Sequence, residues 1–185
     1  MIAFLLDQGA DIHTVDRKQN SPGVLFWTIV LSKGMPREDY EPLVSRFQSS
    51  TYIEDGQFTV LHKIVFGMSH ANLEDTLSDS TKLIDQPDAY GRTPLAWAAS
   101  RADLQSASTL LKHGADPNIV ERGGWGPLHN SILTESHELS LLLLEGGADP
   151  NAPSRVLRET PLYVTCDYEV EIRHMHNLLQ FGADL

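Results

Sequence analysis

The sequence predicts an all-α solenoid, in which short helix-turn-helix units stack side by side and hairpin-like finger loops join them. The first observation is a repeated string, since LLKHGADPN begins at Leu110 and LLEGGADPN begins at Leu143, 143 − 110 = 33 positions later. The second is a Pro-Leu pair about twelve residues after the Gly-Ala-Asp triplet of each of these two strings, at Pro127 and Pro161. Repetition at such a period is the signature of a repeat architecture, so it decides the fold class before any single element is considered.

Each unit is predicted to open with a short first helix. The hydroxyls of Thr93 and Thr160 can cap the helix by accepting a hydrogen bond from an otherwise unpaired backbone N–H. A proline follows at the first helical position, where a missing N–H costs nothing. Two small or apolar residues should then face inward in each unit, namely Ala98-Ala99, Ser131-Ile132 and Thr165-Cys166.

A second helix is predicted to end at the repeated string. Leu139, Leu142 and Leu143 recur at helical spacing, and Gly147 stops the helix because glycine adopts a left-handed backbone readily. Gly114 and Gly182 occupy the same position in other units. The following Asp-Pro-Asn starts a turn, in which the asparagine is expected to hydrogen-bond its own backbone.

These residues resemble the ankyrin repeat family. The resemblance rests on Thr93-Pro94-Leu95, Pro127-Leu128-His129, Thr160-Pro161-Leu162 and the two LLxxGADPN strings. It covers essentially the whole chain and implies one array of about five to six repeats over residues 1–185. The predicted units are approximately 1–16 (partial), 17–54 (divergent), 55–87, 88–120, 121–153 and 154–185 (truncated).

The termini and the divergent units carry expectations of their own. The chain begins within a second-helix pattern and closes on a Gly-Ala-Asp motif, without a polar capping repeat at either end. We therefore expect a piece of a longer array, or ends that bury against something else, with self-association through the uncapped terminal repeats as a possible outcome. Irregular second helices are predicted for 17–54 and 59–87, and the former should begin near Pro42.

Composition narrows the class of protein. The net charge of −11 argues against general nucleic-acid binding, and the stretch from Pro36 to Tyr90 alone carries ten acidic and four basic residues. No segment approaches the ~20 apolar residues of a membrane span, and the apolar run at the N-terminus is too short for a signal peptide. With one cysteine, Cys166, the sequence predicts an intracellular protein, cytoplasmic or nuclear, with no membrane partner.

The sequence predicts neither catalysis nor a cofactor or metal. No phosphate-binding loop or nucleophile elbow occurs. His174 and His176 are two positions apart and point to different faces of a helix, so an ordinary solvated face is favoured over a metal site. Cys166 is expected to be a buried, inert thiol. The resemblance implies that His62 and His129 tie their repeats to a neighbouring loop.

The resemblance implies a non-catalytic module that binds another protein through a concave surface of hairpin tips and exposed first-helix faces. Five of the nine arginines fall near that face. Alternatives are the substrate-recruiting part of a larger enzyme or signalling protein, and a structural spacer. Equally open is that Trp125 packs against a neighbouring hairpin while the arginines only solubilise. Aromatic residues and arginine dominate binding hot spots, so the predicted partner-binding residues are Tyr90, Arg92, Arg101, Trp125, Leu133 and Tyr168.

Overall fold

Pairs of short helices make up the part of the chain that the structure describes. This computed structural model describes residues 56–79, 81–134, 136–155, 158–167 and 170–184. The first helices of the units are α1 (Val60–Val65), α3 (Pro94–Ser100), α5 (Pro127–Ile132) and α7 (Pro161–Asp167). The second helices are α2 (Leu73–Asp79), α4 (Leu104–Lys112), α6 (His137–Glu145) and α8 (Ile172–Gln180). Within these ranges there is no strand, and the all-α prediction is confirmed.

The helices form two layers. First helices pack on first helices, in the order α1, α3, α5, α7, and second helices pack on second helices from α2 to α8. Neighbouring packed helices lie roughly 8–10 Å apart, which sets the step from one unit to the next. The predictions for 1–16, 17–54 and the helix start at Pro42 lie outside the described residues.

The predicted start and stop signals are confirmed. The Thr93 hydroxyl accepts from the backbone N–H of Ala96 at 3.2 Å, and that of Thr160 accepts from Tyr163 at 3.3 Å. Prolines occupy the first position of α3, α5 and α7. The glycines that follow the longer second helices all have positive φ, with 89° at Gly114, 91° at Gly147 and 85° at Gly182. In the unit without this stop signal, α2 is shortened to seven residues, whereas α4, α6 and α8 have nine.

The buried core residues recur at equivalent positions of each unit, with the period of the sequence. The leucine at the second position of each first helix is buried, as are the leucines of the second helices that face it. These are Leu61, Leu95, Leu128 and Leu162 from the first helices and Leu77, Leu110, Leu143 and Leu178 from the second. No unit buries these side chains alone, because each first helix also needs its neighbours in the layer. In the described residues no helix is long and apolar enough to cross a membrane.

Cys166 is exposed, so the expectation of a buried thiol is wrong. It occupies the position of Ala99, which is fully buried because α5 packs over α3. None of the described elements lies over the corresponding surface of α7. Equivalent positions in a repeat therefore share their backbone geometry but not their burial.

His174 is fully buried, so the expectation of an ordinary solvated face is wrong at this position. Its Nδ1 lies 3.0 Å from the Ser140 hydroxyl, and its Nε2 lies 3.2 Å from the Thr134 carbonyl oxygen. Burial lowers the pKa of His174, which favours the neutral ring. Asn177 adds a bond from its amide to the His137 carbonyl at 2.9 Å. This histidine joins the last two units and is not a ligand facing solvent.

The turn asparagines bridge units, so the expectation that they bond their own backbone is also wrong. The amide of Asn118 donates to the Gly147 carbonyl at 3.0 Å, and its oxygen accepts from the Asp149 N–H at 2.8 Å. Asn151 makes the same pair of bonds to the next turn, at Gly182 and Asp184. Each asparagine thus fastens one turn to the turn 29–33 residues further along the chain.

Asp85 stands where the other two units have asparagine. Its carboxylate accepts from the Asp116 N–H at 3.0 Å, but it has no amide donor for the carbonyl of Gly114, the counterpart of Gly147. Burial raises the pKa of Asp85, and the nearby Asp116 carboxylate adds repulsion. Replacing Asp85 with asparagine is therefore expected to raise the free energy of unfolding by about 0.5–1.5 kcal/mol, the net value of one added hydrogen bond.

Urea unfolding at pH 7 measures this gain. Asp75→Asn is the matched control, because it removes the same charge from an exposed site in the first turn of α2. That control should not stabilise, since an acidic residue there favours the helix dipole. An equal rise in both variants would show that net charge, and not the turn hydrogen bond, is responsible.

Candidate interaction surface

The finger loops are joined to one another by backbone hydrogen bonds. The N–H of Arg122 donates to the Tyr90 carbonyl at 3.1 Å, and the N–H of Arg155 donates to the Gly124 carbonyl at 3.1 Å. Each loop is closed in turn by a bond across its own ends, as from Glu121 N–H to Trp125 O at 2.9 Å. We call the described residues of the three loop tips, 88–92, 121–125, 154–155 and 158–159, the hairpin edge.

Two histidines fix the hairpin edge to the first helices. His62 Nε2 lies 3.0 Å from the Arg92 carbonyl oxygen, and His129 Nε2 lies 3.2 Å from that of Glu159. Nδ1 of each ring accepts a hydrogen bond from the backbone N–H of the residue just before the same helix, from Thr59 at 3.1 Å and from Gly126 at 3.4 Å. Burial lowers the pKa of both rings. The role implied for these histidines is confirmed, with a neutral ring that accepts at Nδ1 and donates at Nε2.

Arg92 is held in place by internal contacts. Its Nε donates to the Glu121 carboxylate of the next hairpin. Its guanidinium lies over the Trp97 ring, 4.6 Å from the centroid, a favourable cation–π position. The Trp97 indole N–H donates to Asp88 at 2.8 Å. Arg92 therefore braces adjacent hairpins, with only 25% of its side chain exposed for a partner.

The remaining predicted residues fall into two groups. Tyr90 is exposed and Trp125 is half-buried against His129, with ring centroids 5.9 Å apart, so both belong to the hairpin edge with Arg92. Leu133, which is 44% exposed, and the half-buried Arg101 cap the far ends of α5 and α3. The seven residues of α3 separate these groups by about 10 Å at 1.5 Å per residue. Tyr168 lies outside the described residues.

The first helices between these groups are closed to solvent. In α3 the residues from Pro94 to Ala99 are all buried, and so are all six residues of α5. The expectation of an exposed first-helix face is therefore wrong for these two units, because adjacent helices and the hairpins cover them. In these two units, side chains reach solvent at the hairpin edge and at the far ends of the helices.

Three exposed arginines on the hairpin edge are absent from the predicted site. Arg122, Arg155 and Arg158 are all exposed. Of the acidic residues of the same loops, Asp88 and Glu121 are buried and bonded internally, and Glu159 is half-buried. Exposed carboxylates lie instead on the second helices, at Glu74, Asp75, Asp79, Glu138 and Glu145. The arrangement of the described residues thus separates a basic hairpin edge from an acidic second-helix layer. The clustering of arginines was visible in the sequence, whereas the burial of the neighbouring carboxylates was not.

Helix pairs stacked in two layers, with hairpins linked along one rim, define a helical repeat protein of the class that binds through an extended surface. A family model described as "Ankyrin repeats (3 copies)" matches residues 53–154, more than half of the 185 residues. The chain belongs to the ankyrin repeat family. Ankyrin repeats are protein–protein interaction modules and are generally not catalytic.

Several characterised proteins are similar to this chain over its repeats. Ankyrin repeat domain-containing protein 13B of Mus musculus is 38% identical over 84 residues, which are 45% of this chain and 13% of that protein. Palmitoyltransferase AKR1 of Kluyveromyces lactis is 33% identical over 97 residues, 50% of this chain and 13% of the relative. Ankyrin repeat and SOCS box protein 16 of Homo sapiens is 37% identical over 95 residues, 51% of this chain and 21% of the relative. The matched segments are thus small parts of much longer proteins.

Proposed function

We propose that this chain is a non-catalytic module that binds another protein through the hairpin edge and the adjacent helix ends at Arg101 and Leu133. The observation that carries the proposal is the placement of large exposed side chains at the two ends of α3 and α5, whose own residues are otherwise nearly all buried. Tyr90 and Leu133 are exposed there, on a backbone held rigid by hydrogen bonds between units. A rigid surface loses little conformational entropy on binding, and aromatic and arginine side chains supply most interface energy.

The titrating groups support a non-catalytic role. In the part of the chain that the structure describes, burial shifts the pKa of His62, His129, His174 and Asp85. Each of them is engaged in a hydrogen bond that joins neighbouring units. Their shifts follow from structural burial, and they do not converge on one cleft as the groups of an active site do.

Replacing Tyr90 and Leu133 together with alanine should weaken partner binding by roughly tenfold or more, because hot-spot truncations typically cost 1–2 kcal/mol or more each. Affinity purification with quantitative mass spectrometry measures this, by comparing the proteins retained by each variant. Leu104→Ala is the matched control, since Leu104 is 42% exposed but lies on α4 in the other layer. If the double variant retained the same proteins as the parent chain, the proposed surface would be contradicted. A structural spacer would retain no specific partner, either as the parent chain or as a variant.

A second candidate is that the chain is the recruiting part of a larger enzyme or signalling protein. It is favoured by the small share of the relatives that the chain matches, such as 13% of a palmitoyltransferase. In that case the catalytic domain lies outside these residues, and a longer reading frame would reveal it. The array would bind through the same surface in both candidates. They differ in whether a catalytic domain of the same polypeptide then acts on the bound partner.

A second copy of the chain is a further candidate partner. Ile172 and Leu179 lie on one face of α8, seven residues apart, and they are 76% and 41% exposed. Light scattering on the purified chain distinguishes a monomer from a dimer. Replacing both residues with serine should dissociate a dimer that forms through this face, and a dimer that forms through another surface should remain intact.

A further inference from the structure

We propose that the hairpin edge binds an extended acidic segment of its protein partner, with carboxylates about three residues apart paired with Arg122 and Arg155. This inference rests on the proposed function and names the chemistry of the partner. It uses residues outside the predicted site, since Arg92 is already committed to Glu121 and Trp97.

Arg122 and Arg155 occupy equivalent positions in successive hairpins. Each backbone N–H donates to the hairpin before it, at Tyr90 and at Gly124. The approach is close in both cases, because a Cβ on Gly91 would lie 2.9 Å from the Arg122 nitrogen and one on Gly124 would lie 2.6 Å from the Arg155 nitrogen. Arg122 and Arg155 therefore sit one repeat apart against equivalent glycines, Gly91 and Gly124, although the acceptor carbonyl shifts by one position between the two hairpins.

The distance between the two arginines sets the spacing of the ligand. One repeat step is roughly 8–10 Å, the distance between packed helices. An extended segment in the polyproline II conformation has three residues per turn and advances about 3.1 Å per residue, so its side chains at i and i+3 share one face and lie about 9 Å apart. A segment with acidic side chains at positions i and i+3 can meet both arginines while it runs along the hairpin edge. Carboxylates suit arginine because the guanidinium can donate two parallel hydrogen bonds.

The charge of the edge favours an acidic partner. Asp88 accepts hydrogen bonds from two backbone N–H groups of its own loop and from the Trp97 indole, so its carboxylate is turned inward. Glu121 is likewise occupied by Arg92. The ion pairs found among the described residues do not include Arg122 or Arg155, and Arg158 adds a third exposed cation in the last described hairpin.

The rest of the molecule argues for a protein segment over a polyphosphate. The net charge is −11, and exposed carboxylates cover the second helices. A nucleic acid duplex carries one charge per about 1.7 Å and would be repelled over most of this surface. A short acidic peptide touches only the basic rim, and the separated charges would orient it during approach.

The test is a selection of random twelve-residue peptides displayed on phage, with the whole 185-residue chain as the target. Selected binders should be enriched in aspartate and glutamate at i, i+3 spacing. A synthetic binder should bind at least about fivefold more tightly than a peptide of the same composition with its acidic residues adjacent. Its affinity should fall as salt rises, as expected for exposed charge pairs.

Charge reversal identifies the arginines. Arg122→Glu combined with Arg155→Glu should weaken the selected peptide by roughly tenfold or more, since like charges then face each other. Lys82→Glu combined with Lys112→Glu is the matched control, because both lysines are exposed and neither lies on the hairpin edge. A peptide with lysines in place of its acidic residues should bind the Arg122, Arg155 variant and not the parent chain. Circular dichroism establishes that each variant remains folded.

The outcomes separate this inference from the proposed function. Binders without acidic enrichment that are lost on replacing Tyr90 and Leu133 would overturn the acidic partner and leave the interaction surface standing. Binders insensitive to every hairpin and rim substitution, or no binders, would count against the surface itself. Displacement of the peptide by a single-stranded oligothymidine, which itself binds more tightly through the same arginines, would overturn the protein partner in favour of nucleic acid.

Discussion

Replacing Trp97 with alanine is expected to lower the free energy of unfolding by about 3–5 kcal/mol, the usual cost of removing a large buried aromatic side chain. The indole is 1% exposed and packs edge-on against Phe66, with ring centroids 5.1 Å apart. Truncation would leave a cavity between two units. It would also remove one of the donors that serve Asp88 and the ring beneath Arg92, so two polar groups of the hairpin edge would each lose one contact.

Urea unfolding followed by circular dichroism measures the loss. Tyr163→Ala is the matched control, because Tyr163 occupies the first helix of another unit but is 54% exposed. A substitution at such a site should change stability by no more than about 0.5 kcal/mol. Trp97→Phe keeps a six-membered aromatic ring and removes the indole N–H together with the smaller ring of the indole, so it retains part of the packing without the hydrogen bond. A loss for Trp97→Ala no greater than that of the control would contradict the role of this indole as a core residue between units.

The fold was predictable from the sequence because its signals are local. A hydroxyl before proline caps a helix, and glycine after a leucine pair ends one, wherever they occur. These signals recur at one period, so they also fix the order of the units. The side on which Trp97 lies was not predictable from its own helix. Phe58 and Phe66 in the preceding unit, which pack against its ring, were the signal that could have placed it.

The failed predictions concern contacts between units. Cys166 and Ala99 share a repeat position, but burial depends on what packs next, and only Ala99 is covered by a following helix. His174 was interpreted from its own helix, whereas its partners Ser140 and Thr134 lie 34 and 40 positions away. A periodic sequence predicts which positions face a neighbour. It does not predict which side chain the neighbour brings there.

The same limit applied to the candidate interaction surface. The sequence showed that arginines cluster in the later repeats, and the structure places three of them, exposed, on the hairpin edge. It could not show that Glu121 occupies Arg92, because a contact over 29 positions depends on how two hairpins stack. The exposed arginines at 122 and 155 become distinct from Arg92 only when that stacking is known. The net charge of a stretch of sequence therefore predicts an interaction surface less well than the charges of the side chains exposed on that surface.

Replacing Gly124 with alanine is expected to destabilise the protein by about 3 kcal/mol or more, whereas Gly147→Ala should cost only about 1–2 kcal/mol, the penalty of a left-handed backbone for an L-residue. The two glycines have nearly the same φ, 90° and 91°. They differ in surroundings, because a Cβ on Gly147 would meet nothing within 4 Å, whereas one on Gly124 would lie 2.6 Å from both the nitrogen and the Cβ of Arg155. The pair therefore separates backbone strain from steric conflict.

The conflict at Gly124 should appear at a defined hydrogen bond. To relieve a contact with backbone atoms, the last hairpin must move away, which breaks the bond from Arg155 N–H to Gly124 O, now 3.1 Å long. Hydrogen exchange at the Arg155 amide should accelerate in Gly124→Ala and remain slow in Gly147→Ala. Equal destabilisation of both variants, with the Arg155 amide still protected, would show that the hairpins are not locked at this position. Breaking the hydrogen bond between the hairpins would instead move Arg155 away from Arg122. A ligand that spans both arginines should then bind Gly124→Ala more weakly than Gly147→Ala.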